Sequence, residues 1–474
     1  MLFSSIPFLY YFLPVVLILY YIVPYKIKNI VLLVSSLFFY AWGEPKYVLL
    51  MAITIIIGYI FGLFIERYRG TSLSRIFVVL SALVSLGFLG YFKYAGFFTE
   101  NFAVLTGLPI PILKIALPIG ISFYTFQLLS YTIDVYRGEV PAQKNPLTLG
   151  TYIALFPQLI AGPIVRYQDI ELQLNKRTHS FDKAASGIQR FILGLAKKIL
   201  IANALGELCS IFRASGDPSV LFYWLYAVAF TLHIYFDFSG YSDMAIGLGR
   251  LFGFEFMENF NYPYISRSIT EFWRRWHMSL GTWFRDYVYI PLGGNRCSRG
   301  KWLRNILIVW FLTGFWHGAA WNFIVWGLFF AVLLVVEKLW LPQWWDAKDS
   351  KCRLPIRLLQ HLYVLFFVMI SFVIFDAVNM GEAISYVGAM FGAGDLPLVS
   401  AEFFYYLRSY GWILILGIIG STPLPKLLYV RFTELRYGEK IAAVVKPLVL
   451  GGLLLIMTAY LVDGSYNPFL YFRF

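Results

Sequence analysis

The sequence predicts an all-α polytopic membrane protein. Of its 474 residues, 59% are hydrophobic and only 14% are charged, whereas a soluble protein carries about 25% charged residues. Long apolar runs point the same way: Ile306–Val336 has no charged side chain, and about 20 apolar residues suffice to cross a bilayer. The runs are continuous and do not alternate, which excludes a transmembrane β-barrel.

The apolar segments predict the helices in chain order. The first four are expected at 6–24, 29–42, 47–65 and 76–92. The number of basic residues between them alternates, which predicts an N-terminus outside a cell membrane under the positive-inside rule. Pro157, Gly162 and Pro163 predict a broken or re-entrant helix over 148–165.

The later segments complete one membrane-embedded domain, residues 1–474. A long helix is expected over 183–213, and further spans are expected at 220–237, 358–378, 403–422 and 444–462. A polar loop is expected at 339–357, and the total is about ten to twelve helices.

Charge and cysteine content limit the partners. The net charge of +13 is assigned to loops that face anionic lipid, so the bilayer is the expected partner and no nucleic acid is expected. The three cysteines are far apart and form neither a disulfide framework nor a metal-binding pattern, so no metal is expected.

His317 is the main candidate for function, because it is the titratable group in the middle of Ile306–Val336. This segment is long enough for one kinked helix or for two shorter helices. Gly314 and Gly318 allow another backbone or a substrate to approach His317, and Asn322 follows close behind. Ionisable groups at membrane depth are candidates for function; the alternative is a neutral histidine that is hydrogen-bonded within a helix bundle.

A second histidine, His277, lies in Thr270–Ile290, which is predicted to be an amphipathic helix at the membrane interface. Its apolar arc contains Phe272, Trp273, Trp276, Leu280, Trp283, Phe284, Tyr287 and Val288, and its polar arc contains Glu271, Arg274, Arg275 and Arg285. A Pro-Gly-Gly turn follows this segment, and Asn295 and Arg296 come directly after the turn. His277 lies at the edge of the apolar arc, where either packing or function is expected.

Polar residues also occur in the predicted spans. Gln127 lies in the segment after residue 117, and Asp237, Tyr241 and Asp243 follow the span at 220–237. They are interpreted as tunnel or structural groups, with the acids paired to arginines of the segment that follows; the alternative for the acids is a catalytic role.

The two imidazoles favour acyl transfer, in which a hydroxyl group attacks a thioester carbonyl. A neutral histidine can remove the hydroxyl proton, and the arginine-rich face can hold an anionic donor such as a CoA pyrophosphate or a phosphopantetheine. From these residues alone, a proton-coupled transporter fits nearly as well.

The motifs around both histidines resemble the membrane-bound O-acyltransferase family, in particular its bacterial alginate O-acetyltransferase branch. The stretches that carry the resemblance are 117–138, 155–167, 235–296 and 315–327; they include YFDFSGYSDMAIG, EFWRRWH, YIPLGGNR and FWHGAAW.

The resemblance implies a ring of helices around a central tunnel, with His317 as the catalytic base and His277 as the second catalytic residue. Residues in the matching motifs are candidates for binding the donor or the substrate: Arg274, Arg275, Trp276, Asn295, Arg296, Trp316 and Asn322. The donor is expected to be acetyl-CoA or an acyl-carrier phosphopantetheine, with no bound cofactor. The expected partners are an extracytoplasmic SGNH-type acetyltransferase and a polysaccharide or cell-wall polymer.

Three alternatives stay open. The first is D-alanyl transfer to teichoic acid from a carrier protein. The second is a transporter of a solute or a lipid-linked sugar, which predicts inverted repeats that the sequence does not display. The third is a membrane scaffold for another transferase.

Overall fold

A computed structural model describes residues 1–160, 162–341 and 353–464, so most of the predicted loop 339–357 lies outside the described residues. Within these ranges the chain forms helices joined by turns, with no strand. Seven helices are long and apolar enough to cross a membrane: Pro45–Arg67, Ser72–Thr106, Val220–Leu251, Trp321–Leu339, Leu354–Asp376, Ala401–Gly420 and Gly438–Val462. The predicted class, an all-α polytopic membrane protein, is confirmed.

The chain divides into two compact units. The first unit is Met1–Phe191 with Tyr241–Met257, and the second unit is Ile192–Gly240 with Glu258–Phe474. The single domain, the ring and the central tunnel stay predictions, and so does the external N-terminus.

The first unit contains the four predicted N-terminal helices. Its helices are α1 (Leu13–Ile22), α2 (Lys28–Gly43), α3 (Val48–Arg67), α4 (Ser72–Leu89), α5 (Ala95–Thr106), α6 (Ile121–Arg137), α7 (Pro146–Ala154), α8 (Phe156–Leu159) and α9 (Tyr167–Asn175). A π-helical segment, Gly90–Tyr94, joins α4 to α5, so this helix is longer than predicted.

The predicted break within 148–165 is confirmed. α7 ends at Ala154, and α8 begins at Phe156 and carries Pro157 at its start. The Phe156 N–H, which the break releases from the helix, donates to Ser36 Oγ at 3.0 Å. Both short helices are buried, which is the setting in which broken backbone is tolerated at membrane depth.

A long helical run links the two units. It comprises α10 (Phe181–Ala196), a π-helical segment Lys197–Ala202, and α11 (Asn203–Ala214), which confirms the helix predicted over 183–213. The next helix, α12, covers Val220–Leu251, so its predicted end at residue 237 is wrong. Polar residues do not end α12, because its acids are paired.

The remaining helices belong to the second unit. They are α13 (Ile269–Trp273), α14 (Met278–Phe284), α15 (Arg299–His317), α16 (Trp321–Leu339), α17 (Arg353–Asp376), α18 (Met380–Met390), α19 (Ala401–Gly420), α20 (Leu424–Thr433) and α21 (Gly438–Val462). α17, α19 and α21 confirm the three final spans, whereas α18 and α20 were not predicted.

The acids of α12 form ion pairs with the helix that precedes it. In the second unit, Asp237 Oδ1 lies 2.5 Å from Lys198 Nζ, and both side chains are 2% exposed. In the first unit, Asp243 Oδ1 lies 2.8 Å from Arg190 Nη2, with both side chains about one-fifth exposed. Their predicted pairing with arginines of the following segment is therefore wrong.

The two other polar candidates, Tyr241 and Gln127, lie in the first unit. The Tyr241 ring stacks on Phe3 with 4.6 Å between centroids. Gln127 is fully buried within α6.

We predict that Lys198→Ala destabilises the protein by about 3–5 kcal/mol, because it leaves the Asp237 carboxylate buried without its cation. The double variant Lys198→Met/Asp237→Leu removes both charges and is expected to recover most of that loss. Thermal unfolding of the purified protein in detergent measures both effects. Arg190→Ala is the matched control and is expected to cost less, because its ion pair is partly exposed. Equal losses for Lys198→Ala and Arg190→Ala would contradict the prediction.

Candidate active site

The predicted amphipathic helix Thr270–Ile290 is broken at His277. α13 ends at Trp273, α14 begins at Met278, and a π-helical segment, Arg285–Tyr289, follows. His277 has a φ of 44°, a left-handed conformation that costs a residue with a Cβ atom about 1–2 kcal/mol. The prediction of a continuous helix was wrong because no glycine or proline marks the break: Ile269–Leu280 contains neither.

Hydrogen bonds to a preceding loop hold the break in place. The Met278 N–H donates to the Asn259 carbonyl at 3.0 Å, and the Asn261 N–H donates to the Arg275 carbonyl at 2.9 Å. The segment still has an apolar and a polar side, as predicted. Arg274 and Arg285 are exposed, and the buried residues of the apolar side are Phe272, Trp276, Leu280, Trp283, Phe284 and Tyr287.

The side chain of Asn259 fixes the tautomer of His277. Asn259 Oδ1 accepts hydrogen bonds from the Ser279 N–H at 3.2 Å and from the Ser279 hydroxyl at 2.9 Å. His277 Nδ1 lies 3.2 Å from the same oxygen and must therefore carry a proton. The lone pair of the neutral imidazole is then on Nε2, which is buried and has no hydrogen-bond partner within the described part of the chain.

Burial also keeps His277 neutral. The residue is 1% exposed and lies outside the seven candidate spans. Desolvation lowers the pKa of His277 to about 3, because burial disfavours the charged imidazolium. The ring contacts Phe238 edge to face, with 4.7 Å between centroids.

His317 is the last residue of α15, and α16 begins at Trp321. Ile306–Val336 therefore contributes to two helices and not to one kinked helix, which is the second of the two alternatives that its length allowed. Both glycines beside His317 allow the close approach of α16, which is the backbone alternative of the prediction. A Cβ atom at Gly314 would lie 2.2 Å from the Phe323 carbonyl oxygen, and one at Gly318 would lie 2.2 Å from the Phe323 ring.

Aromatic rings surround His317, which is 8% exposed. Its ring centroid lies 5.0 Å from Trp316, 5.1 Å from Trp326 and 5.3 Å from Phe375. The centroid of His277 is 6.4 Å away, and Trp316 contacts both imidazoles. The two histidines predicted to act together are therefore neighbours within the second unit.

A cavity of about 890 Å³ in the second unit reaches His277. It extends along α15 to Thr313, one helical turn before His317. Its polar and charged lining residues are Ser268, Thr270, Arg274, Thr282, Arg285, Tyr289, Asn295, Glu337 and Lys338, and Trp273 and Trp310 line its apolar part.

Two of the predicted binding residues, Arg274 and Asn295, line this cavity. Arg275 is instead held by Glu271 Oε1, at 2.9 Å from its Nη2 atom. Trp276 is buried against Phe260 and Phe272.

Arg296 and Asn322 lie elsewhere. Arg296 is exposed on the turn before α15. Asn322 is fully buried, and its Nδ2 atom donates to the Ala377 carbonyl at 2.8 Å. This contact ties Asn322 to the end of α17, and its predicted contact with a substrate stays a prediction.

Comparison with known proteins agrees with the motifs. The sequence model described as "MBOAT, membrane-bound O-acyltransferase family" matches residues 140–375, the range that contains both histidines. Over the full length of both chains, the sequence is 41% identical to the "Probable alginate O-acetylase AlgI" of Azotobacter vinelandii. The chain belongs to the membrane-bound O-acyltransferase family. It is an O-acyltransferase, as its motifs predicted.

Two further relatives in the family carry different names. The "Peptidoglycan O-acetyltransferase" of Helicobacter pylori is 32% identical over 84% of this chain and 81% of its own length. The "Teichoic acid D-alanyltransferase" of Bacillus subtilis is 33% identical over 46% of this chain and 58% of its own length.

Asn259 and Glu337, which the sequence did not indicate, hold the candidate site together. The Glu337 carboxylate caps the N-terminus of α13: it accepts from the N–H of Ile269 and of Thr270, and from the Thr270 hydroxyl at 2.8 Å. Glu337 lies beside Lys338 at the end of an otherwise apolar helix, and Asn259 lies in a loop. A signal for Asn259 was available in principle, since a buried histidine needs an acceptor that fixes its tautomer.

We predict that Asn259→Ala lowers acyltransfer activity about tenfold to a hundredfold, as is typical when a residue that orients a functional group is lost. Asn259→Asp retains the acceptor and adds a negative charge, which raises the pKa of His277. The acidic limb of its pH–rate profile is therefore expected to move to higher pH. Initial rates measured across pH in purified membranes test both variants. An unchanged profile for Asn259→Asp would show that His277 does not act as a proton acceptor.

Proposed function

We propose that this O-acyltransferase moves an acetyl group from a cytoplasmic thioester, acetyl-CoA being the first candidate, for O-acetylation of an extracytoplasmic polysaccharide or cell-wall polymer. The observation that carries the proposal is the cavity lined by His277: the Nε2 atom of this residue is buried without a hydrogen-bond partner among the described residues, and its ring centroid lies 6.4 Å from that of His317. The relatives named alginate O-acetylase and peptidoglycan O-acetyltransferase support acetyl transfer to a polymer.

The charges of the cavity suit an anionic donor. Arg274, Arg285 and Lys338 line it. Arg285 contacts Asp286 at 2.6 Å, whereas the Arg274 guanidinium has no ion-pair partner within the described ranges. Guanidinium groups bind phosphate oxygens with paired hydrogen bonds, so Arg274 is the proposed contact for the phosphates of coenzyme A or of a phosphopantetheine.

The proposed reaction needs one base and one acyl donor. A hydroxyl oxygen attacks the thioester carbonyl carbon, and an imidazole takes the hydroxyl proton. The C–S bond then breaks, and the imidazolium gives this proton to the sulfur, which releases the thiol. The resemblance to the family assigns the base to His317, and His277 lines the cavity. We therefore propose that both imidazoles act in this step. General acid–base catalysis of this kind raises the rate roughly 10²–10⁴-fold.

Trp273 is the proposed donor to the developing oxyanion. It lines the same cavity as His277, and its indole N–H is buried without a hydrogen-bond partner among the described residues. A donor that is aimed at developing negative charge stabilises the transition state more than the ground state.

The finer parts of the proposal concern the cell membrane. The N-terminus is placed outside, the donor is placed in the cytoplasm, and an SGNH-type acetyltransferase is the proposed extracytoplasmic partner that receives the acetyl group. D-alanyl transfer from a carrier protein is the alternative within the family, and the relative that performs it covers less than half of this chain. Membership of an O-acyltransferase family favours the enzyme over a transporter or a scaffold.

We predict that His277→Ala and His317→Ala each lower acetyl transfer from labelled acetyl-CoA by at least about a hundredfold in membranes with equal protein content. His361→Ala is the matched control. His361 lies in α17, and its Nδ1 atom bonds to the Ser266 carbonyl at 3.0 Å, so it is expected to retain activity. Full activity in either active-site variant would refute the proposed role of that histidine.

Two adjacent arginines test the donor site. Arg274→Gln is expected to raise the KM for acetyl-CoA about tenfold, because one charge-assisted hydrogen bond to phosphate is lost. Arg275→Gln is expected to leave this KM nearly unchanged, since Arg275 is held by Glu271.

Assays with a D-alanyl carrier protein in place of acetyl-CoA identify the donor. Turnover with the carrier alone would replace acetyl transfer by D-alanyl transfer.

A further inference from the structure

A second cavity, of about 490 Å³, lies in the first unit and is lined by three arginines. We call it the arginine pocket: its lining residues are Arg69, Gly70, Thr71, Ser72, Arg75, Tyr136 and Arg137. They come from the turn between α3 and α4 and from the end of α6. From this convergence we propose that the arginine pocket binds a phosphate group, and that the headgroup of an anionic phospholipid supplies it.

The charge of the arginine pocket is one-sided. Its described lining contains three guanidinium groups and no carboxylate. Arg75 is exposed and has no ion pair within the described residues. Arg137 lies near Glu139, with 3.9 Å between Arg137 Nη1 and Glu139 Oε1. An anion that enters the pocket meets the three guanidinium groups of its lining.

The backbone keeps one of these arginines in place. Arg69 Nη2 donates to the Val135 carbonyl at 2.8 Å and to the Val140 carbonyl at 3.4 Å. These bonds tie the α3–α4 turn to the end of α6, and they orient the Arg69 guanidinium before a ligand arrives. A preorganised donor loses less side-chain entropy on binding.

Further donors lie beside the arginines. Ser72 and Tyr136 add hydroxyl groups to the lining. The Thr71 hydroxyl is engaged with the Tyr68 carbonyl at 2.6 Å and does not cap α4, so the first N–H groups of α4 remain open to an anion. Helix N-terminal N–H groups that stand beside arginines suit phosphate oxygens.

The size and the predicted side of the membrane favour a lipid. Pockets of about 300–1,000 Å³ hold small organic molecules, so the arginine pocket accommodates a phosphoglycerol headgroup. The positive-inside pattern places the α3–α4 turn on the cytoplasmic side, where anionic lipids attract basic pockets between helices. Arg67 is close in sequence but contacts the Tyr68 ring and does not line the pocket. Basic residues of this region therefore do not all point into the pocket, and the three that line it are a distinct group.

The test uses the full-length protein purified in an uncharged detergent. Its melting temperature is measured while phosphatidylglycerol, phosphatidylcholine or inorganic phosphate is titrated. Phosphatidylglycerol is expected to raise the melting temperature, because a ligand that binds the folded state stabilises it. The variant Arg75→Gln/Arg137→Gln is expected to need at least about ten times more phosphatidylglycerol for half of the effect. Both side chains are exposed, so this variant is expected to fold.

Arg67→Gln is the matched control, since it removes one charge from the same turn outside the pocket. An effect of inorganic phosphate as large as that of phosphatidylglycerol, lost in the double variant, would support the phosphate site and assign it to soluble phosphates. The proposal is overturned if none of the three ligands changes the melting temperature, if phosphatidylcholine acts as well as phosphatidylglycerol, or if Arg67→Gln weakens the response as much as the double variant.

Discussion

One residue, Asn259, sets both the backbone and the protonation pattern at His277. Its carbonyl accepts from the Met278 N–H at 3.0 Å, which stabilises the left-handed turn at the start of α14. Its side-chain oxygen accepts from Ser279 and from His277 Nδ1, which leaves the Nε2 lone pair open. The backbone strain at His277, about 1–2 kcal/mol, is offset by bonds that also orient the imidazole. Non-glycine residues in such conformations cluster at functional sites.

The position of His317 depends on a second constraint, the close approach of α15 and α16. Cβ atoms at Gly314 and at Gly327 would each lie 2.2 Å from a carbonyl oxygen of the facing helix, so only glycine permits this packing. The end of α17 is fixed from two directions: Asn322 donates to its last carbonyls, and Asp376 accepts from Arg213 and from Tyr226. Phe375, which contacts His317, is thereby held on a rigid element, as precise site geometry requires.

The sequence predicted the features that depend on local composition, and it failed where distant residues decide. Apolar runs predicted the existence of α1–α4, α17, α19 and α21, and prolines with a glycine predicted the break after Ala154. The turn at His277 was not predictable, because the hydrogen bonds that impose it come from Asn259, 18 residues away. The partners of Asp237 and Asp243 were misassigned for the same reason: charge alone does not distinguish the preceding helix from the following segment.

Buried polar groups of the second unit differ in whether they have a partner. Lys198 and Asp237 form an ion pair, and the Glu337 carboxylate accepts hydrogen bonds at the N-terminus of α13. In contrast, His277 Nε2 and Trp273 Nε1 are buried without hydrogen-bond partners among the described residues, and both residues line one cavity.

A buried polar group without a partner costs about 1–3 kcal/mol. In the proposed reaction, the His277 imidazole accepts the hydroxyl proton and the Trp273 indole N–H donates a hydrogen bond to the oxyanion, which are the two roles that thioester attack requires. Under this proposal the reacting groups supply the hydrogen-bond partners of both side chains, and they do so most fully in the transition state.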